Sequence, residues 1–192
     1  MSAPAAEINL GSSGPELPWH RPVAAGAVLV AILLALTPLI PVFGSFVMVR
    51  VALIAALLAA ALAWTATRLR WTPLVTAAAG LGLYLVAGLA VVAPPWEPGR
   101  SVLTGLRTLL TGPVTSWKNV LTLSPPFGAE PRALVLVWFL VFAATLVAVS
   151  LALRSHGGTT RAAAYAGIVP ILLLGFALIV ADHETWWPLV MG

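Results

Sequence analysis

Five stretches almost free of charge run along this chain, separated by short segments where Pro, Gly and Arg collect. They cover about 23–42, 46–67, 72–92, 133–153 and 162–181. A helix needs about 20 apolar residues to cross a bilayer core of roughly 30 Å, so each stretch is long enough for one span. The runs are unbroken and rich in Ala and Leu, without the apolar–polar alternation of a barrel strand. In hydrocarbon only helices and closed barrels satisfy their own backbone groups. The pattern predicts an all-α, polytopic transmembrane helix bundle of about five spans.

The segments between the runs read as stops. Pro38 and Pro41 end the first span, and Gly44-Ser45 makes a tight turn into the second, which Arg68 and Arg70 close. Pro94-Pro95-Trp96-Glu97-Pro98 ends the third. Arg154 to Arg161 forms a small loop holding Gly157-Gly158, and Pro170 is expected to kink the fifth. Residues 1–22 read as a flexible tail, its first 19 residues polar and rich in Pro, Gly and Ser, and the first apolar run is too long for a signal peptide. Residues 23–192 form the transmembrane domain.

The connection over 93–132 is the one sizeable part expected outside the bilayer, and it carries a second pattern. Val102, Leu103, Leu106, Leu109 and Leu110 fall on one helical face, with Arg100, Thr104, Arg107, Thr108 and Thr111 opposite. Ser101 is placed to cap this helix, and Gly112-Pro113 to stop it. A second short amphipathic piece sets Val114, Trp117, Val120 and Leu121 on one face before Ser124-Pro125-Pro126. Two such helices either lie on the membrane surface or cap the bundle, or form a re-entrant or packing connection. Their apolar faces make Leu106, Leu110, Trp117, Lys118, Val120 and Leu121 the candidate docking surface for a partner.

Charge orients the chain. With the N-terminus inside, Arg21, Arg68, Arg70, Arg154 and Arg161 face the cytoplasm, and Arg50, Arg100, Arg107, Lys118 and Arg132 face outward. The tally is equal, but the positive-inside rule acts mainly through short loops beside span ends. Those after the second and fourth spans hold four arginines, so a cytoplasmic N-terminus in the plasma membrane is expected, with the 93–132 loop outside.

Composition sharpens the class. Sixty per cent of residues are hydrophobic, 8% are charged, and mean hydropathy is +1.02; soluble domains carry roughly 25% charged residues. The net charge of +4 comes from scattered single basic residues, and no block of Lys and Arg follows a phosphate backbone, so nucleic acid is not an expected partner. The absence of cysteine removes disulfides, thiolate metal sites and a thiol nucleophile. His20, His156 and His183 stand in different loops, while the consecutive Asp182, His183 and Glu184 point in different directions, so no metal site or cofactor is expected. Trp186 and Trp187 suit an interfacial aromatic belt. Arg50 lies within about a turn of the Gly44-Ser45 corner and is expected to snorkel outward. Gly80, Gly82 and Gly88 permit close helix contact. No catalytic triad, carboxylate pair or phosphate loop can be assembled.

The loop sequence carries a resemblance. Gly105-Leu106-Arg107-Thr108-Leu109-Leu110, followed by Ser116-Trp117-Lys118-Asn119-Val120-Leu121-Thr122-Leu123-Ser124-Pro125-Pro126, resembles the N-terminal membrane region of actinobacterial TgpA-type transglutaminase-like proteins. The order of spans over 23–192 is similar as well. The resemblance implies further membrane helix beyond these residues and an extracytoplasmic domain with a Cys-His-Asp set. This chain has no cysteine, so no catalytic residue carries over. The ending at Trp186 to Gly192 looks like the start of another span, as in a piece of a longer protein.

The expected role is a non-catalytic membrane anchor or scaffold that positions such a transglutaminase-like domain, with the lipid bilayer and that domain or an envelope protein as partners. The alternatives are a small transporter or channel component and a standalone membrane assembly subunit. Thr37, Thr65, Thr76, Tyr84, Thr145 and Ser150 are nearly all that the spans offer a polar pathway.

Overall fold

The computed structural model describes the backbone of residues 20–94, 101–122, 130–154 and 160–190, and the side chains of 22–94, 101–116, 130–154 and 165–181. Among the described residues there are seven helices and no strand: α1 (His20–Ala35), α2 (Leu39–Phe43), α3 (Phe46–Arg68), α4 (Pro73–Val91), α5 (Val102–Thr122), α6 (Pro131–Arg154) and α7 (Thr160–Val190). Three of them, α3, α4 and α6, are long and apolar enough to cross a membrane. At 23, 19 and 24 residues they extend about 29–36 Å. Shorter apolar helical segments cover Pro22–Ala35 and Tyr165–Ala181.

Helix α6 is the axis of the bundle. It packs on α3 most extensively, and also on α1, α5, α7 and α4. The α3 face turned inward is a stripe of alanines, among them Ala52, Ala56, Ala59, Ala63 and Ala66, while Leu53 and Leu57 point away. Small residues let two helix backbones approach when lipid is as apolar as leucine and supplies no reason to hide it. Helix α4 repeats the pattern at a spacing of four: Thr76, Gly80, Tyr84 and Gly88 are buried, and Leu74, Leu81 and Val86 are exposed. Added Cβ atoms at Gly80 and Gly88 would meet Leu146 and Trp138 of α6 at 2.7 and 2.9 Å, whereas Gly82 faces open space.

Two expectations are corrected. The first predicted span is not one helix: α1 ends at Ala35, and α2 resumes at Leu39. Pro38 has no N–H to give the carbonyl four residues back, that of Leu34. Thr37 takes that carbonyl instead, with its backbone N–H at 3.1 Å and its hydroxyl at 2.8 Å, and the chain tightens into a turn. Gly44, at φ 59°, then closes α2 in the left-handed conformation open to glycine.

The second correction concerns the long connection. Gly112-Pro113 does not stop the first amphipathic helix; α5 runs unbroken over 21 residues with Pro113 inside it. Ser101 does cap it, its hydroxyl accepting from Thr104 N–H at 3.2 Å. At the other end of the bundle, α3 closes with Trp71 N–H on Ala66 carbonyl at 2.9 Å and Arg70 at φ 54°, a Schellman geometry that usually selects glycine. Arg154 at the end of α6 holds this turn, its Nη2 donating to Trp71 carbonyl at 3.1 Å and Thr76 Oγ1 at 3.0 Å.

Candidate functional site

Helix α5 is where this molecule departs from a plain bundle of spans. Its inward face is Gly105, Leu109, Gly112 and Ser116. The leucine-rich face is divided: Leu109 is buried and Leu106 half-buried, while Leu103 and Leu110 are 80% and 54% exposed, and Val114 is 77% exposed. Thr104, Arg107, Thr111 and Thr115 form a third, exposed polar face. Three faces follow from the 100° step of the helix: small inside, apolar to one side, polar to the other.

Close approach is what turned the helix this way. A Cβ on Gly105 would meet Leu89 at 2.7 Å and the Ala93 carbonyl at 3.1 Å, both at the end of α4. One on Gly112 would overlap Val135 Cγ1 near the start of α6. Helix α5 thus passes from the end of α4 to the start of α6, with Leu109 packed against Gly88 between them.

Tyr84 joins the three helices. Its hydroxyl donates to Leu109 carbonyl at 3.0 Å, and its own carbonyl accepts from Trp138 Nε1 at 3.3 Å. Its ring meets Phe139 and Phe142 edge-on, with centroids 5.9 and 6.0 Å apart. Leu109 carbonyl is the group that Pro113, lacking an N–H, leaves without its helical donor. The tyrosine supplies that donor, so α5 continues through its proline.

Two concavities flank α5. On its apolar side a groove of about 260 Å³ is lined by Leu81, Tyr84, Leu110, Pro113, Phe139 and Leu146, among others. On its polar side a recess of about 520 Å³ holds Arg107 and Arg132 together with Thr104, Thr108, Thr111 and Thr115, over Ser116. Ser116 Oγ is buried and has no hydrogen-bond partner among the described residues. Thr145 Oγ1 in α6 is the other such atom.

Of the predicted docking residues, Leu106 is half-buried and Leu110 exposed. Trp117, Lys118, Val120 and Leu121 lie in α5, and their side chains are outside the described residues, as are those of His20, His156, Asp182, His183 and Glu184. Arg50 is exposed in the first turns of α3. The described side chains contain no cluster of His, Asp or Glu able to hold a metal ion. Their buried polar residues are Thr76, Ser116 and Thr145 alone. Thr37, Thr65 and Thr76 donate to carbonyls of their own helices or turns, and the described residues form no polar track through the bundle.

Three helices of this length and apolarity, with no strand among the described residues, are the mark of a membrane protein. Comparison with protein-family models, with characterised proteins and with solved structures finds no match to the chain.

Proposed function

We propose that this chain is a non-catalytic membrane anchor and scaffold, with five spans built on α1–α2, α3, α4, α6 and α7. Helix α5 lies at the extracytoplasmic border, with the N-terminus in the cytoplasm. The observation that carries the reading is the three-faced α5, gripped by α4 and α6 through Gly105 and Gly112. Such a helix is held rigidly at a boundary between two media, the arrangement a docking platform needs.

The domain positioned there is of the transglutaminase-like kind. Its support is the loop sequence, Gly105 to Leu110 and Ser116 to Pro126. Tethering raises the effective concentration of such a domain at the membrane surface. Against transport stands the lack of a polar track among the described residues.

The test is the mass of the native polypeptide that contains these residues, read by immunoblot with an antiserum to the α3–α4 turn. A polypeptide well above 19.9 kDa, carrying a Cys-His-Asp domain on its extracytoplasmic side, is the expected result. A polypeptide of 19.9 kDa alone contradicts the tethering role.

A further inference from the structure

We propose that the recess between the polar face of α5 and the start of α6 binds the phosphoryl group of an anionic glycerophospholipid. The inference rests on the membrane reading above. Two guanidinium groups, Arg107 and Arg132, line one cavity of about 520 Å³, and no carboxylate among the described residues does. That volume falls within the range of small-ligand sites, roughly 300–1,000 Å³. Neither guanidinium has an ion-pair partner among the described residues. Arginine forks match phosphoryl oxygens in pairs, which a point charge does not.

The hydroxyls around them define the rest of the ligand. Thr108, Thr111 and Thr115 each donate to the carbonyl four residues back, at 2.9, 2.8 and 2.9 Å. Their protons are committed, so what they offer outward is lone pairs. Ser116 Oγ lies buried beneath them, with no hydrogen-bond partner among the described residues, so the donors open to the recess are the two guanidinium groups. Donors for a phosphoryl oxygen thus stand beside acceptors for ligand hydroxyls. A phosphodiester bearing hydroxyls, as in a glycerol headgroup, uses both; a bare anion uses one.

Position argues for a lipid source. Leu103, Leu110 and Val114 stand exposed on the adjoining face of the same helix. With that face in hydrocarbon, the polar face stands at headgroup depth.

The experiment uses the full chain in neutral detergent micelles, with thermal unfolding followed by tryptophan fluorescence and bound lipid counted by native mass spectrometry. Phosphatidylglycerol, phosphatidylcholine and free glycerol phosphate are titrated separately. Phosphatidylglycerol is expected to raise Tm and to remain bound, phosphatidylcholine to do neither, and free glycerol phosphate to act only at far higher concentration. The double substitution Arg107→Gln/Arg132→Gln should weaken phosphatidylglycerol binding about tenfold or more, given the strength of hydrogen bonds to charged groups. The double change to Lys should fall between, and Arg68→Gln, far from the recess, should match the unsubstituted chain.

Equal binding by the unsubstituted and Gln-substituted chains overturns the proposal, as does an equal response to the two lipids. Equal potency of free glycerol phosphate overturns the lipid source. A chain that needs detergent yet ignores phosphatidylglycerol sinks the headgroup site alone; one that stays monodisperse without detergent sinks the membrane reading itself.

Discussion

The hydroxyl of Tyr84 on α4 donates at 3.0 Å to the carbonyl of Leu109 on α5, the group orphaned by Pro113 one turn further on. A proline inside a helix ordinarily leaves that carbonyl to water. Here Leu109 is fully buried, and a side chain from a neighbouring helix reaches it. The same solution appears in miniature at Pro38, where the Thr37 hydroxyl takes Leu34 carbonyl at 2.8 Å. At Pro38 the rescuer is local and the helix breaks; at Pro113 it comes from a neighbour and the helix continues.

A double-mutant cycle tests this pairing. Tyr84→Phe leaves a buried acceptor unpaired and should cost about 1–3 kcal/mol, read as a lower Tm in micelles. Pro113→Ala restores an N–H at that position, so Tyr84→Phe should cost clearly less in its background. Additive losses would show that the hydroxyl and the proline are unrelated.

Gly112 sets how closely α5 lies on α6. Gly112→Ala pushes a methyl into Val135 Cγ1, and overpacking of this kind costs about 1–3 kcal/mol. Val135→Ala should recover much of that loss in the double variant. Gly82→Ala, where the added methyl meets nothing within 4 Å, should leave Tm unchanged or raise it. Equal losses at both glycines would contradict the packing described.

How much of this was legible in the sequence follows from what lipid does to the hydrophobic signal. The apolar runs showed where helices lie, and Ser101 showed where α5 begins. They did not show which way the helices face. In water, burial sorts Leu from Lys; in hydrocarbon, Leu57 and Ala56 are equally at ease, and packing alone puts Ala56 inside and Leu57 out. For the same reason leucine spacing does not mark the packing face of α5: Gly105, Leu109, Gly112 and Ser116 are that face, and Leu103 and Leu110 lie outside it. The polar face with Arg107 was visible from its spacing. That Arg132, 25 positions later, lines the same recess is a tertiary fact with no local signal. Nor does a proline announce its rescuer: Tyr84 and Pro113 are joined only by the fold.

Arg70 holds the left-handed position of the α3 cap at φ 54°. Arg70→Gly removes the cost of that conformation and should stabilise the protein by about 0.5–1 kcal/mol. Arg154→Gln, by contrast, loses the guanidinium bonds to Trp71 carbonyl and Thr76. It should speed amide exchange at Leu69 to Trp71. A lower Tm for Arg70→Gly, or unchanged exchange for Arg154→Gln, would contradict the cap and its clamp.

Thr145 is fully buried in α6, and its hydroxyl has no partner among the described residues. Thr145→Val keeps the shape and removes an unpaired polar group, whose burial costs about 1–3 kcal/mol. The variant should melt higher. A marked fall in Tm would mean that the hydroxyl is engaged in the native protein.

The medium that touches the exposed leucines decides whether these helices span a bilayer, and the absence of cysteine makes it measurable one position at a time. Leu57, Leu81 and Val147 are 59%, 56% and 51% exposed in the middle of α3, α4 and α6; Thr104 and Thr111 are exposed on the polar face of α5. Single changes to Cys at these five positions are treated with a membrane-impermeant maleimide, the protein being in membranes accessible from the extracytoplasmic side. Thr104→Cys and Thr111→Cys should label rapidly, and Leu57→Cys, Leu81→Cys and Val147→Cys should stay unmodified, because a thiol in hydrocarbon forms no thiolate and meets no reagent. Rapid labelling at Leu57→Cys, Leu81→Cys and Val147→Cys would mean that water, not lipid, surrounds these helices.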